Sequence, residues 1–215
     1  MSIRQSYEAY LARREALTAA PMSDIWMDQE SRYVHPFQLY GNVWYVGDSW
    51  VCVHLVDTGD GLLLIDSGNC GATAMLVNAI WEAGFNPADV KWIIHSHGHL
   101  DHIGGANFFR RMFGTKLYLG EPDARMFRER PEISAIYDTH NDCDGIFVPD
   151  YEIKDGDVLT FGGTVMTFYM VPGHTDGCVA IFFDADGPEG VKRCGYYGGF
   201  GFNTLQKEYL IEIGD

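Results

Sequence analysis

Four of the chain's eight histidines and one aspartate lie within eight positions, in the segment IIHSHGHLDHIGG at residues 93–105. This segment contains the pattern H-x-H-x-D-H, formed by His97, His99, Asp101 and His102. Side chains two positions apart in an extended segment point the same way, so His97 and His99 can converge on one ion. Asp101 and His102 lie where the chain turns into a predicted helix, and they can face a second point nearby. Imidazole and carboxylate groups suit Zn²⁺, with iron as a competitor, so the spacing predicts a two-metal site.

The alternative is that these are ordinary histidines at the end of a strand. Four imidazoles and a carboxylate this close would repel one another when protonated, and burying them unpaired would cost several kcal/mol. A metal ion resolves both problems because it requires neutral imidazoles and an ionised carboxylate. His95 lies outside the pattern and fits a core or supporting position better than a ligand position. Structural roles are also expected for His35 and His54, and His140 lies in a loop that we expect to be exposed.

Composition favours one globular domain. The chain has 215 residues, of which 47% are hydrophobic, and its net charge of −15 comes from 30 acidic and 15 basic side chains. The basic residues form no cluster, which argues against a nucleic acid or an anionic membrane surface as partner. No signal peptide or membrane-spanning run is visible, so we expect a cytoplasmic chain. The five cysteines include no Cys-x-x-Cys pair, and we expect them to be reduced thiols.

The hydrophobic pattern predicts alternating strands and helices after an N-terminal extension. Residues 3–19 have the spacing of a short amphipathic helix, so we assign residues 1–35 to a helical extension and 36–215 to the main domain. Aromatic and β-branched runs broken by tight-turn residues predict an antiparallel meander over residues 37–68. The rest of the pattern predicts helices at 70–85, 106–114 and 121–130, strands at 90–96, 116–120, 157–175, 177–184 and 191–199, an irregular loop at 131–150 and a turn at 185–190.

Three motifs together resemble the metallo-β-lactamase superfamily. Besides H-x-H-x-D-H, the run LLLIDSG is similar to the family's strand that ends in an aspartate, here Asp66, and VPGHTDG is similar to its Pro-Gly-His-Thr, here with His174. They occur in the family's order and with family-like spacing, and the resemblance runs from about residue 36 to the last residue. It implies an α/β fold, an αβ/βα sandwich of two mixed β-sheets with helices on the outer faces. It places the metals in a groove at one sheet edge.

The resemblance also implies a role for each matching residue. The first metal would be held by His97, His99 and His174. The second would be held by Asp101 and His102. Asp66 would support the site by accepting hydrogen bonds from a metal-bound histidine or from loop amides.

Such a site is suited to hydrolysis. An ion held by three histidines keeps an open position for water, whose pKa falls towards ~7, so that a metal-bound hydroxide is available at neutral pH. Asp101 can orient that hydroxide towards the carbonyl of an amide, lactone, ester or thioester, and we expect a cyclic amide, lactone or ester. The resemblance therefore implies a zinc-dependent hydrolase with a small-molecule substrate. Two alternatives stay open: a mononuclear iron oxidoreductase similar to persulfide dioxygenases, and a non-catalytic metal-binding module.

Details within the superfamily narrow the expectation. Glyoxalase-like thioesterases and lactonases place a Gly-Asp after the strand that follows Pro-Gly-His, and this chain has CGYYGGFG there, with no acid. It looks more like the β-lactamase subclass with a three-histidine first site and an Asp-His-His second site. In that subclass a further histidine comes from beyond this region, but His174 is the last histidine here. We therefore expect an incompletely represented chain with an under-liganded second site.

Overall fold

The structure is a computed structural model that describes residues 29–131 and 146–199. The amphipathic helix predicted at residues 3–19 and the loop histidine His140 lie outside the described residues. Most of the proposed extension, residues 1–35, also lies outside them, so the division between extension and domain stays a prediction.

The first sheet has seven strands that lie side by side in sequence order. The first four strands pair antiparallel, which confirms the predicted meander, and the last four pair parallel. The strands are β1 Phe37–Tyr40, β2 Val43–Tyr45, β3 His54–Asp57, β4 Leu62–Ile65, β5 Val90–Ile94, β6 Lys116–Gly120 and β7 Tyr151–Ile153. Parallel strands need crossovers, and helices that cover the sheet supply most of them.

The second sheet has four strands in the order β11-β10-β9-β8, and within the described residues every pairing is antiparallel rather than mixed. The strands are β8 Val158–Phe161, β9 Thr164–Met170, β10 Val179–Gly187 and β11 Gly190–Tyr197. The predicted six-residue turn at 185–190 is too long. Strand pairing continues to Gly187 and Gly190, which leaves two residues in the turn. Ala185 is buried and belongs to the core, so the strand pattern extends past Asp184.

Five α-helices and a 3₁₀ turn at Pro87–Asp89 complete the described part of the chain. Two helices end where a glycine takes a left-handed conformation, at Gly84 (φ 91°) and Gly114 (φ 74°), as the sequence predicted. None of the helices in the described part is long and apolar enough to cross a membrane. The helices are α1 Gln29–Arg32, α2 Thr73–Glu82, α3 Leu100–Ile103, α4 Ala106–Phe113 and α5 Glu121–Glu129.

Two apolar cores cover the two faces of the first sheet. On one face Leu64 and Ile93 pack against helix residues such as Ile80 and Phe109. On the other face the first sheet packs against the second, and this core includes Ile65 of β4, Phe168 of β9 and Ile181 of β10. All four residues of β4 are buried because both faces of that strand are covered.

The outer face of the second sheet carries exposed apolar side chains, among them Val165, Tyr169, Val191 and Tyr197. Within residues 29–131 and 146–199, the main helix-to-sheet contacts are those of α4 and α5 with strands of the first sheet. The predicted outer helices are therefore confirmed on the first sheet.

The prediction of reduced cysteines is wrong for Cys70, which is disulfide-bonded. The other described cysteines, Cys52, Cys178 and Cys194, are free thiols. The wide spacing of cysteines along a sequence does not show which of them approach one another in the fold. Disulfides persist mainly in oxidising compartments, so this bond bears on where the protein works.

Candidate metal centre

The H-x-H-x-D-H residues lie in the segment that leaves the carboxyl end of β5. His97 and His99 precede the single turn of α3, which carries Asp101 and His102. His99 has extended backbone angles (φ −79°, ψ 149°). Gly104 follows the turn, and a Cβ there would lie 2.2 Å from the backbone of Asn69, so only glycine fits this close approach. The segment is therefore held against the loop that follows β4.

His174 comes to the same place from the second sheet, in the connection between β9 and β10. Its ring centroid lies 4.6 Å from those of His97 and His99, which are 4.8 Å from each other. His99 Nδ1 lies 3.0 Å from His174 Nε2. One ring nitrogen from each of the three histidines lies within 4.8 Å of the others, a spacing that could hold a metal ion.

The donor atoms of this group fit a metal ion. The Nε2 atom of His97 is buried and has no hydrogen-bond partner within the described part of the chain, and His99 turns its Nδ1 towards His174 Nε2. His97 Nδ1 lies 3.1 Å from Ser96 Oγ, so a proton on Nδ1 leaves the Nε2 lone pair available. A buried unpartnered nitrogen is costly in a folded protein, and coordination of a cation removes that cost.

Electrostatics keep the first two imidazoles neutral. Burial, together with the nearby imidazoles of His102 and His99, holds the pKa of His97 well below its ordinary value. Burial and the neighbouring His174 lower the pKa of His99 to about 4. Neutral imidazoles are the form that binds metal, so both side chains are ready to act as ligands near neutral pH.

A second group contains His97, Asp101 and His102, whose ligand atoms also lie within 4.8 Å of one another. The rings of His97 and His102 are 4.0 Å apart, and His102 Nε2 lies 3.6 Å from Asp101 Oδ2. The structure thus brings together all five side chains that the resemblance assigned to metal, and His97 belongs to both groups.

Asp66 supports this cluster from the end of β4. Its fully buried carboxylate accepts hydrogen bonds from the Ser96 backbone N–H (2.7 Å), the Ser96 hydroxyl (2.8 Å), His102 Nδ1 (2.8 Å) and the Tyr196 hydroxyl (2.8 Å). Asp66 has a positive φ of 65°, the left-handed region that aspartate enters more readily than most residues.

The pKa values of Asp66 and His102 shift in opposite directions. Burial opposes the ionised form of Asp66, but the charge and hydrogen bond of His102 and the Ser96 amide hold its pKa below the ordinary value. Burial would lower the pKa of His102, but the charge and hydrogen bond of Asp66 raise it to about 9. His102 therefore donates its Nδ1 proton to Asp66, which leaves Nε2 on the side of Asp101.

Sequence reasoning missed Ser96 and Tyr196. Ser96 lies between two histidines, and its hydroxyl reaches Asp66, His97 and the Gly198 carbonyl. Tyr196 pairs with the buried Ile181, so it lies at an inward-facing position of β11. An inward-facing tyrosine needs a buried acceptor for its hydroxyl, and in the sequence this requirement alone indicated that Tyr196 could reach the site.

The remaining described histidines lie outside both groups. His95 is fully buried, with its ring nitrogens near the Ser67 hydroxyl and the Tyr118 carbonyl. His54 lies in β3, with its ring edge against two tyrosine rings. His35 is exposed, and its Nδ1 lies 2.5 Å from a carboxylate oxygen of Glu82.

Gly198 and Gly199 directly follow β11 and lie beside the candidate metal centre. A Cβ on Gly199 would lie 2.8 Å from His174 Cδ2 and 3.3 Å from His97 Cε1. A Cβ on Gly198 would lie 2.6 Å from the Ser96 side chain. Position 199 is therefore adjacent to the first three-histidine group, and it brings no carboxylate there.

Two packed sheets with a histidine cluster in their connecting loops define a candidate metallo-hydrolase. A family model of the metallo-beta-lactamase superfamily matches residues 45–187, more than half of the chain. The chain belongs to the metallo-β-lactamase superfamily.

The similar proteins include a hydroxyacylglutathione hydrolase, a probable metallo-hydrolase and a metallo-beta-lactamase. The hydroxyacylglutathione hydrolase GloC of Haemophilus influenzae is 30% identical over 132 residues, which cover 60% of this chain and 59% of that protein. The probable metallo-hydrolase YybB of Bacillus subtilis is 24% identical over 70% of this chain and 60% of its own length. The crystal structure of BJP-1, a subclass B3 metallo-beta-lactamase of Bradyrhizobium japonicum, has a TM-score of 0.74 and 28% identity, covering 82% of this chain and 67% of that chain. The chain spans less than two thirds of the length of the first two of its curated relatives.

Proposed function

We propose that the chain is a zinc-dependent hydrolase of a small molecule that contains a cyclic amide, lactone or ester. In this proposal His97, His99 and His174 hold the first ion. Asp101 and His102 contribute to a second. The observation that carries the proposal is the convergence of three imidazoles from the loops of two sheets, together with the buried His97 Nε2, which has no partner in the described part of the chain.

A bound Zn²⁺ supplies a Lewis acid and lowers the pKa of the attacking water. The protein's own groups do the rest. Asp101, whose carboxylate is 28% exposed, would accept a hydrogen bond from a water bound there and would orient it towards the substrate carbonyl. Asp66 holds the proton on His102 Nδ1 and so fixes the direction of the ring. Ser96 does the same for His97.

The position of Gly199 supports a β-lactamase-like substrate over hydroxyacylglutathione. Curated relatives are named as hydroxyacylglutathione hydrolases, whereas several similar structures are named as B3 metallo-beta-lactamases. Thioesterases of the glyoxalase type are expected to place a carboxylate after the strand that here is β11. Gly199 occupies that place, with no side chain between the two imidazoles beside it.

The test is elemental analysis of protein purified without chelator, followed by turnover of a chromogenic cephalosporin, a lactone and a thioester. We expect zinc, with one tight equivalent and a second that binds more weakly. His97→Ala, His99→Ala and His174→Ala should each lose the tight equivalent and all hydrolysis, whereas His35→Ala, at an exposed position, should lose neither.

Each alternative gives a different result in the same experiment. A single iron with no hydrolysis would favour an oxidoreductase. Full zinc with no hydrolysis of any substrate in the panel would favour a non-catalytic metal-binding module. Unchanged metal content in the three alanine variants would show that the ligand assignment is wrong.

The cellular location of the chain stays a prediction. The sequence favoured the cytoplasm, whereas a disulfide at Cys70 is typical of an oxidising compartment. Trapping of thiols during cell fractionation would decide between the two, because a cytoplasmic protein should be recovered with Cys70 reduced.

A further inference from the structure

Asp123 is a buried carboxylate that the proposed reaction does not use. It lies in the first turn of α5 and has no exposed surface. Its Oδ2 accepts hydrogen bonds from the Gly98 backbone N–H (2.7 Å) and the Thr175 hydroxyl (2.8 Å). Its Oδ1 accepts a third from the Gly177 backbone N–H (2.9 Å). Three donors therefore converge on one carboxylate.

These donors come from both loops that carry the first three-histidine group. Gly98 lies between His97 and His99, and Thr175 follows His174. Asp123 therefore bonds a ligand-bearing loop of the first sheet and a ligand-bearing loop of the second. The loops are also joined by a bond from the Val179 N–H to the Ser96 carbonyl (2.9 Å), which does not involve Asp123.

The contact between α5 and the two loops leaves no spare room. A Cβ on Gly177 would lie 2.5 Å from the Asp123 backbone nitrogen and 2.6 Å from its Cγ. A Cβ on Gly98 would lie 2.8 Å from Phe127, which belongs to the same helix. Both loops approach the helix at glycines, so the carboxylate reaches the two loop amides directly.

We propose that Asp123 is the positioning residue that sets the distance between the His97–His99 pair and His174. It thereby determines the affinity and the coordination geometry of the first metal ion. This inference rests on the proposed function, because it takes these three histidines as the ligands. A tetrahedral site requires its donors at fixed separations, and groups that orient ligands commonly change metal affinity by about 10- to 100-fold when removed.

Asp123→Asn is the direct test. An asparagine amide has only one oxygen, so its NH₂ group must face one of the two backbone N–H groups that now donate to the carboxylate. With the oxygen towards Gly177, the NH₂ faces the Gly98 amide and the Thr175 hydroxyl. With the oxygen towards Gly98, the NH₂ group faces the Gly177 amide. Either arrangement moves one ligand-bearing loop, and we expect the zinc dissociation constant to rise about 10- to 100-fold.

Replacing zinc with Co²⁺ distinguishes a change in ligand geometry from a loss of folding stability, because a loss of stability alone would not change the Co²⁺ spectrum. The visible spectrum of bound Co²⁺ reports the geometry of its ligands, and we expect it to shift in Asp123→Asn. Thr175→Val removes one donor with little change of shape and should weaken zinc binding by a smaller factor. Thr175→Ser keeps the hydroxyl and should restore both affinity and spectrum.

Asp48→Asn is the matched control. Asp48 is also a buried carboxylate that accepts two backbone N–H bonds, from Trp50 (2.7 Å) and Val51 (2.6 Å). Its loop carries none of the candidate ligands, so this variant should lose stability without a change in the Co²⁺ spectrum.

The outcomes separate the two proposals. A wild-type protein that binds no metal, or that binds it without these histidines, overturns the proposed function. A wild-type protein that binds metal while Asp123→Asn has the same affinity and spectrum overturns only the role of Asp123. If Asp123→Asn does not fold, wild-type affinity and spectrum in Thr175→Val overturn the role of Asp123 instead.

Discussion

Replacing His95 with glutamine should make the unfolding free energy of the metal-free protein less sensitive to acid. Burial lowers the pKa of His95 to about 4, although the Asp66 carboxylate opposes this shift. Glutamine carries no charge at any pH, and its amide can still form a hydrogen bond with the hydroxyl of Ser67. The substitution therefore removes one titrating group from the core.

The direction of the effect follows from the two pKa values. In the unfolded chain His95 takes up a proton as the pH falls below 6.5, whereas in the folded chain it stays neutral until about 4. Stability that is present above pH 6.5 is therefore lost as the pH falls through this window. Each pH unit costs about 1.4 kcal/mol per proton, so the window costs about 3 kcal/mol in all.

Urea unfolding of wild-type protein and His95→Gln, followed by circular dichroism with a chelator present, measures this difference. His97 and His99 also have lowered pKa values, so both proteins should lose stability in acid. Only the wild type should show the additional slope between neutral pH and the pKa of His95. Parallel pH profiles for the two proteins would refute the reasoning, whatever the difference in absolute stability.

Three further predictions concern the cluster itself. Tyr196→Phe removes the hydroxyl that donates to the Asp66 carboxylate at 2.8 Å, and it should lower the free energy of urea unfolding by about 1.5–3 kcal/mol, the range for a bond to a charged group. An unchanged unfolding midpoint would contradict this. Gly199→Ala places a Cβ 2.8 Å from His174, so competition with a chromogenic chelator should show zinc binding weakened by about tenfold or more. Equal affinity would mean that the imidazole has room to move. Asp101→Asn should keep the first metal but reduce turnover by about 100-fold or more, and near-normal turnover would favour a one-metal mechanism.

The parts of the fold that the sequence predicted are those set by local patterns. The four apolar residues of β4 and the helix-ending glycines Gly84 and Gly114 each have a local signature, and the structure has the strand and both helix ends there. The turn between β10 and β11 was predicted too long, because Asp186 and Gly187 look like turn residues but pair with β11. Turn composition alone did not show that the strand pairing continues.

Prediction of the candidate site was limited by long-range contacts. His174 was assigned to the cluster only through the family resemblance. It lies 75 positions from His99, and no pattern within the sequence relates the two residues. Asp123 and Tyr196 reach the cluster from a helix and a strand whose own sequences show no functional pattern. The disulfide at Cys70 was missed for the same reason, because only the fold shows which cysteines lie close enough to form a bond.

The three imidazoles of the first group lie in loops of two different sheets. His97 and His99 follow β5 of the first sheet, and His174 follows β9 of the second. An ion held by all three would therefore add one more connection between two sheets that already meet through apolar side chains, the Tyr196–Asp66 hydrogen bond and the Val179–Ser96 hydrogen bond. Metal binding would contribute about 2.7 kcal/mol to folding when free metal is about 100 times the dissociation constant. The supply of metal in the cell would then govern how long the protein survives proteolysis, as well as how fast it turns over substrate. Starvation for metal would deplete the protein itself.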